Sequence, residues 1–262
     1  MAEILVLTDS RCALHYAGAG HPERPERLSF AMDAVAPAMN ESAASLRIVD
    51  RLQPIDPARL TTVHSPEYVK RILELSGRSG TLDPDTHICP SSVDAARIAA
   101  SGAVDAVAAV VRGEAAGALC IIRPPGHHAC SNRAMGFCLF NNAAVAAAAA
   151  LTDHGCRRVL ILDCDVHHGN GTQQIFYERE DVLYVSLHQY PWYPWSTGGV
   201  AEVGVGPGYG FTVNVPLPAG CGDAEYAFAM EEVVLRSIRT YRPDLVIVSA
   251  GFDTHVDDPL AE

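Results

Sequence analysis

The sequence predicts an α/β fold: a mostly parallel sheet with helices on both faces. Three observations predict it. Short apolar, β-branched runs at Ile4–Leu7, Ala118–Ile122, Val159–Leu162, Val182–Leu187 and Leu245–Ser249 alternate with longer stretches of helical periodicity. Polar, chemistry-bearing residues gather directly after the strands ending at 122, 162, 187 and 249, the carboxyl-end position where open parallel sheets build sites. With 262 residues and 48% apolar content, the chain is long enough for one large domain, 1–262, with a substantial core.

Taken in order, Ile4–Leu7 is the first strand. Gly18, Gly20, Pro22 and Pro25 then punctuate a loop, and a helix is expected near Glu26. Ser65-Pro66 opens an amphipathic helix within 60–75, with proline in its first turn. Residues 77–90 are polar and turn-rich and are expected to form a long surface loop of the kind that borders a site. Ser91–Arg112 is an alanine-rich helix, Ala118–Ile122 a strand and Asn141–Asp153 a helix. After the strand Val159–Leu162, Thr172 is expected to cap a helix beginning at Gln173. Gln189–Tyr209 is an irregular loop rich in aromatics, glycine and proline. Phe211–Val215 is strand-like, Asp223–Arg239 helical, and Leu245–Ser249 the last strand.

Composition excludes several function classes. The net charge is −12 and the pI about 5.3, with no basic patch for a phosphate backbone, so direct nucleic-acid binding is not expected. Acidity suits either plain solubility or cationic substrates such as lysine-bearing tails and polyamines. No two of the eight cysteines form Cys-x-x-Cys; several sit in apolar runs, as free thiols do in a reducing compartment. The first strand follows no basic leader, and the alanine run 143–150 is too short to span a bilayer. A cytoplasmic protein without a membrane segment is the expectation.

The stretch Leu160–Thr172 organises the chain. Asp163, Asp165 and His167 alternate with Cys164 and Val166, which in an extended strand puts all three on one face. Three such groups on an apolar strand are costly unless something binds them. Asp165, His167 and Asp253 each follow a strand and can converge on one divalent ion, leaving an open position as in a catalytic zinc site. Two carboxylates and one imidazole nearly neutralise such a metal, so a separate general base is useful. His127 and His128, after Pro-Pro-Gly, offer it; Asp163 can hold one imidazole and Asn170 the other. Taken alone, His188 reads as a structural residue, and Asp253 reads equally as a helix cap. Trp192, Tyr193 and Trp195 read as a substrate rim or as packing beneath a loop.

The motifs Arg-Pro-Pro-Gly-His-His (123–128), Gly-Phe-Cys-Leu-Phe-Asn-Asn (136–142), Asp-Cys-Asp-Val-His-His-Gly-Asn-Gly-Thr (163–172) and Ala-Gly-Phe-Asp-Thr-His (250–255), with Gly-His-Pro-Glu-Arg-Pro-Glu-Arg-Leu at 20–28, resemble the histone deacetylase family. The likeness is to its bacterial, class II-like members, which group with acetylpolyamine amidohydrolases and acetoin utilisation proteins, and it covers essentially the whole chain. It implies a three-layer α/β/α, arginase-like fold. It implies a zinc-dependent deacetylase acting on linear amides, with Zn2+ on Asp165, His167 and Asp253. His128 would be the acid–base group, His127 its electrostatic partner, with Asp163 and Asn170 behind them. Asn170 stands where class I members carry a second Asp. The resemblance further implies a K+ site using Asp163, Asp165, His167, Ser186 and Leu187. Gly136 and Phe137 would line an acyl-lysine tunnel, and Arg27 an inner channel for the acetate product.

The implied substrate is an acetylated lysine side chain or an acetylated polyamine, though the short 77–90 loop disfavours the polyamine enzymes, which usually narrow their entrance with a longer one. Relatives continue beyond the Asp253 motif to a Glu-Gly-Gly-Tyr loop, so the family domain is expected to be C-terminally truncated here. The tyrosine opposite zinc then has no counterpart within 1–262, a loss typical of about 100- to 1000-fold in rate. A catalytically impaired zinc-binding fragment is therefore the rival expectation, and a manganese hydrolase of the arginase type a weaker one. Pro194-Trp195-Ser196-Thr197-Gly198-Gly199 stands where relatives read Pro-Gly-Thr-Gly, which leaves the tunnel rim open. Iron in place of zinc also suits the ligand set. The oligomeric state is not legible.

Overall fold

The computed structural model describes residues 3–41 and 45–262. It resolves into two compact units, Met1–His154 and Gly155–Glu262.

The first unit is built on three parallel strands, ordered β2-β1-β5, with β1 at Glu3–Thr8, β2 at Ser45–Val49 and β5 at Gly117–Ile121. The helix α1 (Glu26–Glu41) starts where the sequence expects it; α2 is a single turn at Pro57–Leu60. Ser65 accepts a hydrogen bond from the Tyr68 N–H and so caps α3 (Pro66–Leu73), with proline spending no donor in the first turn. Val69 and Ile72 turn inward with Tyr68, as the amphipathic pattern requires. The long helix α4 (Ser92–Val111) and α5 (Asn142–Asp153) present alanine-rich buried faces to one another. Leu5, Leu7, Leu28, Leu52, Ile98 and Ile121 meet in the core.

The expected surface loop at 77–90 is instead an antiparallel hairpin, β3 (Gly80–Asp83) and β4 (Thr86–Ile88). The strands are too short for periodicity to reveal them, and the turn is carried by Asp-Pro-Asp at 83–85.

The second unit holds four parallel strands, ordered β8-β7-β6-β9: β6 Val159–Asp163, β7 Val182–Gln189, β8 Thr212–Leu217 and β9 Leu245–Ser249. Both β6 and β7 are buried along their whole length, which explains the apolar runs Val159–Leu162 and Val182–Val185. The helix α6 spans Asn170–Phe176, with Gly169 preceding it. Thr172 therefore lies inside the first turn and is not the cap at the start of a helix at Gln173; the chain turns at Gly169, three residues earlier than the side-chain capping signal suggests. The helix α7 (Asp223–Ala229) runs through a π-helical turn at Met230–Val234 into α8 (Leu235–Tyr241). Among the described residues no helix is long and apolar enough to cross a membrane.

His64 in the first unit carries a pH consequence. Its Nδ1 donates to the Cys130 carbonyl at 2.9 Å, and its Nε2 accepts the Asn141 N–H at 3.0 Å. A second ring proton would displace that N–H, and burial pushes the imidazole down to about 4. The folded pKa thus lies below the unfolded 6.5, so the stabilisation is complete above pH 6.5 and is lost as pH falls toward 4. The difference corresponds to about 2–3 kcal/mol at pH 4.5. In urea unfolding, His64→Gln is expected to flatten the fall in stability between pH 6.5 and 4.5 by about one bound proton relative to the parent chain; parallel curves would refute the assignment.

Candidate metal centre and histidine pair

In the second unit, β6 and β9 lie parallel with Asp163 opposite Ser249, so both strands end at one level. The Cys164 N–H still donates to the Ser249 carbonyl at 3.0 Å, after which the chains diverge from ladder geometry. The expectation that Asp163, Asp165 and His167 share a strand face is corrected here. Only Asp163 is in the strand, and 165–167 form a bend. The bend exists because carboxylates take over the backbone donors. Asp165 Oδ1 accepts the His167 N–H, and Asp253 Oδ1 accepts the Val166 N–H, each at 2.9 Å. Gly251 lets the two segments approach, since a Cβ there would lie 2.3 Å from Asp165 Oδ2.

The result is a tight cluster. Ligand atoms of Asp165, His167 and Asp253 lie within 4.8 Å of one another. His167 Nδ1 is 2.9 Å from both Asp165 Oδ1 and Asp253 Oδ2. Burial opposes charge on this imidazole, but the two carboxylates outweigh it and raise the ring to about 9. Burial also pushes the Asp253 carboxyl up. A site that holds a proton this firmly between two acids is one that favours a positive charge. Two carboxylates and an imidazole, with open positions left over, fit a divalent ion of the zinc or iron kind.

Asp163 is fully buried behind this cluster. Its Oδ1 takes the Asp165 N–H, and its Oδ2 takes the Tyr184 hydroxyl, each at 3.3 Å. Ser186 is its register partner on β7, and Leu187 follows, both fully buried. Asn170 opens α6 and is buried. His188 is structural, as its sequence context suggests: Nδ1 pairs with Ser186 Oγ and Nε2 with the Gly198 carbonyl, each at 2.9 Å. His168 escaped the sequence reading. It is buried between Thr197 Oγ1 (2.8 Å) and Gln173 Oε1 (3.0 Å), and nothing in the His-His dipeptide says which ring faces the cluster. Tyr193 stands edge-on to His167, with centroids 5.9 Å apart.

In the first unit, His127 and His128 are both buried, with ring centroids 3.9 Å apart at 45°. Their loop is pinned from the Asn141-Asn142 pair: Asn141 Nδ2 donates to the Ala129 carbonyl and Asn142 Nδ2 to the Pro124 carbonyl. Gly136, at φ +55°, passes so close to His128 that a Cβ would fall 2.2 Å from Cδ2. Phe137 follows at φ +67°. The β3–β4 hairpin fixes this left-handed pair: Asp85 Oδ1 accepts the Gly136 N–H at 3.2 Å and Thr86 Oγ1 the Phe137 N–H at 3.1 Å. Residues 77–90 thus border the histidine pair's loop, as their composition suggests.

Arg27 is half-exposed, 3.6 Å from Glu23. The fully enclosed guanidinium nearby is that of Arg123, paired with Glu23 and donating to the Cys12 and His15 carbonyls. No sequence signal singles out that pairing across 100 positions.

A family model described as the histone deacetylase domain matches residues 21–262. The chain is 44% identical over 250 residues to a histone deacetylase-like amidohydrolase of Pseudomonas aeruginosa, covering 94% of this chain and 64% of that protein. It is 40% identical over 248 residues to a probable deacetylase of Archaeoglobus fulgidus, covering 94% and 68%. The crystal structure of the HDA15 HD domain superposes with a TM-score of 0.91 at 40% identity, over 99% of this chain and 76% of that one.

Proposed function

The chain belongs to the histone deacetylase family, and from that premise we propose that it is a zinc-dependent amidohydrolase that removes the acetyl group from N-acetyl-lysine or a related acetylated amine. The observation that carries this reading is the Asp165–His167–Asp253 cluster. Zinc, when bound, supplies Lewis acidity to the amide carbonyl and lowers the pKa of water.

The chain's own residues do the rest. Asp165, His167 and Asp253 would each give one ligand atom and keep the remaining positions free for water and substrate. His128 is assigned the proton transfers. It accepts a proton from the attacking water and returns it to the amine nitrogen as the C–N bond breaks. Its ring is held by the close approach of Gly136. His127, its ring centroid 3.9 Å from that of His128, takes the role of electrostatic partner that the family resemblance implies. Asp163 and Asn170 take the supporting roles that the family resemblance implies, and Ser186 and Leu187 join Asp163, Asp165 and His167 in the proposed monovalent-cation site. Gly136 and Phe137 are proposed to flank the acyl chain, and Arg27 to act on the product side.

The test is acetate release by the zinc-loaded 262-residue chain, from an acetyl-lysine peptide and from an acetylated polyamine in parallel. Asp165→Ala serves as control. Release from at least one substrate that falls at least about 100-fold in Asp165→Ala supports the reading, since the ligand set is then broken. No release from either by a folded, zinc-bound chain, or release indifferent to Asp165, overturns it.

A further inference from the structure

The 189–205 loop of the second unit carries the chain's two tryptophans, Trp192 and Trp195. They form a pair with ring centroids 5.3 Å apart at 59°. The turn between them is closed by a hydrogen bond from the Trp195 N–H to the Trp192 carbonyl at 2.7 Å. Trp192 is half-buried, and its indole N–H donates to the Leu260 carbonyl at 3.0 Å. Trp195 is 63% exposed and sits at φ +66°. A bulky side chain rarely adopts that backbone conformation, and a glycine would do so freely. An exposed indole held in a strained position is a feature that stability alone does not explain.

The loop is also fastened by hydrogen bonds beyond the pair. Its far side is fastened by His168 to Thr197 and by His188 to the Gly198 carbonyl, and the Gly199 N–H donates to Glu202 Oε1 at 2.8 Å. Between the tryptophans lies Tyr193, edge-on to His167 of the metal cluster. The pair is therefore carried on a hydrogen-bonded turn whose Tyr193 meets a candidate metal ligand within the same unit.

The electrostatic surroundings select the occupant. Residues 189–222 contain no lysine or arginine, and neither do residues 251–262. The latter segment, against which Trp192 is tied, carries Asp257, Asp258 and Glu262 in addition to Asp253. Asp257 is almost fully exposed. The segment's one basic side chain is His255, 3.8 Å from Asp257, and Asp258 Oδ1 accepts the Leu260 N–H at 3.0 Å, so an aromatic face next to this mostly acidic segment has the composition of a cation-binding surface.

We propose that Trp192 and Trp195 form an aromatic platform that receives a cationic side chain next to the acylated lysine of a peptide substrate. This deepens the deacetylase reading and rests on it. Trp195 is then a specificity-determining residue.

Equilibrium binding tests it directly. Fluorescently labelled acetyl-lysine peptides that differ only in the following residue, arginine or alanine, are titrated with the zinc-loaded 262-residue chain and followed by anisotropy. The arginine peptide is expected to bind about 5- to 10-fold more tightly, the size of a partly exposed cation–π contact aided by nearby carboxylates. In Trp195→Gly the ratio is expected to fall to about 1, and in Trp195→Phe to keep most of its value, since phenylalanine retains an aromatic face. Because glycine tolerates φ +66°, Trp195→Gly is expected to melt no lower than the parent chain. Equal affinities in the parent chain, an unchanged ratio in Trp195→Gly, absence of binding by either peptide, or stronger competition by acetylspermidine than by the arginine peptide would each overturn the proposal. An arginine preference that depends on Trp195 without acetate release would leave the platform standing and remove the deacetylase reading. Acetate release without the preference would do the reverse.

Discussion

Arg123→Ala is expected to destabilise the protein by about 3–5 kcal/mol, the characteristic loss when one partner of a buried ion pair is removed. The Arg123 guanidinium and the Glu23 carboxylate are both almost wholly enclosed. Arg123 Nε donates to Glu23 Oε1 at 3.0 Å, Nη2 pairs with Oε2, and Nη1 reaches the Cys12 and His15 carbonyls at 2.9 and 2.8 Å. One side chain thus satisfies a carboxylate and two backbone acceptors from the segment between β1 and α1. Alanine would leave all three without their donor in a site closed to water. His15 is no substitute cation. Burial holds its imidazole near 4, and its Nδ1 is engaged with Ser92 Oγ at 2.7 Å. Arg27, half-exposed and 3.6 Å from Glu23, offers only partial compensation. Urea unfolding at pH 7 measures the loss. The double variant Glu23→Leu/Arg123→Met should recover a large part of it, because no buried charge then remains. A loss below about 1 kcal/mol for Arg123→Ala would mean that water reaches the site and that the enclosure is misjudged.

On the deacetylase reading, His128→Ala is expected to lower kcat by about 100- to 10,000-fold while leaving zinc binding close to that of the parent chain. The separation of those effects is the informative part. The metal ligands lie in the second unit, whereas His128 lies on the 126–129 turn of the first. A role in proton transfer predicts loss of turnover without loss of metal. Truncation also vacates the space under Gly136, so unfolding must be measured alongside rate. His128→Gln, closer in volume, controls for packing. Retained turnover in both variants under zinc saturation would remove His128 from the chemistry.

Much of this was readable beforehand, and the reasons are physical. Fully buried parallel strands declare themselves through apolar runs, Val159–Leu162 in one and Val182–Val185 in the other, and Leu245–Ser249 was found at its predicted limits. Ser45–Val49 was not expected, because an edge strand with Ser45, Arg47 and Ile48 exposed carries neither an apolar run nor clean alternation. The Asp165–His167–Asp253 cluster was legible in residue type, since aspartate and histidine have few other reasons to crowd behind an apolar strand. Its geometry was not. The bend at 165–167 is made by carboxylates from positions 165 and 253 capturing backbone N–H groups, and that partnership exists only in three dimensions. The same holds for Glu23 with Arg123 and for His168 with Thr197, where either residue alone looks like an ordinary surface polar group.

The pairing of β9 with β6 has a kinetic consequence. Asp165 and Asp253 are 88 positions apart (253 − 165), and they become neighbours only when β9 docks beside β6, with β7, β8 and the intervening helices lying between them in the chain. Contacts of such sequence separation close slowly, because the loop entropy is lost before the pairing rewards it. The Asp165–His167–Asp253 cluster therefore depends on the longest-range strand pairing of its unit. An added divalent ion that recognises only the three-ligand arrangement would slow the opening of β9 far more than that of β7. Hydrogen exchange along the two strands, with and without metal, would read that difference as a hierarchy of opening events.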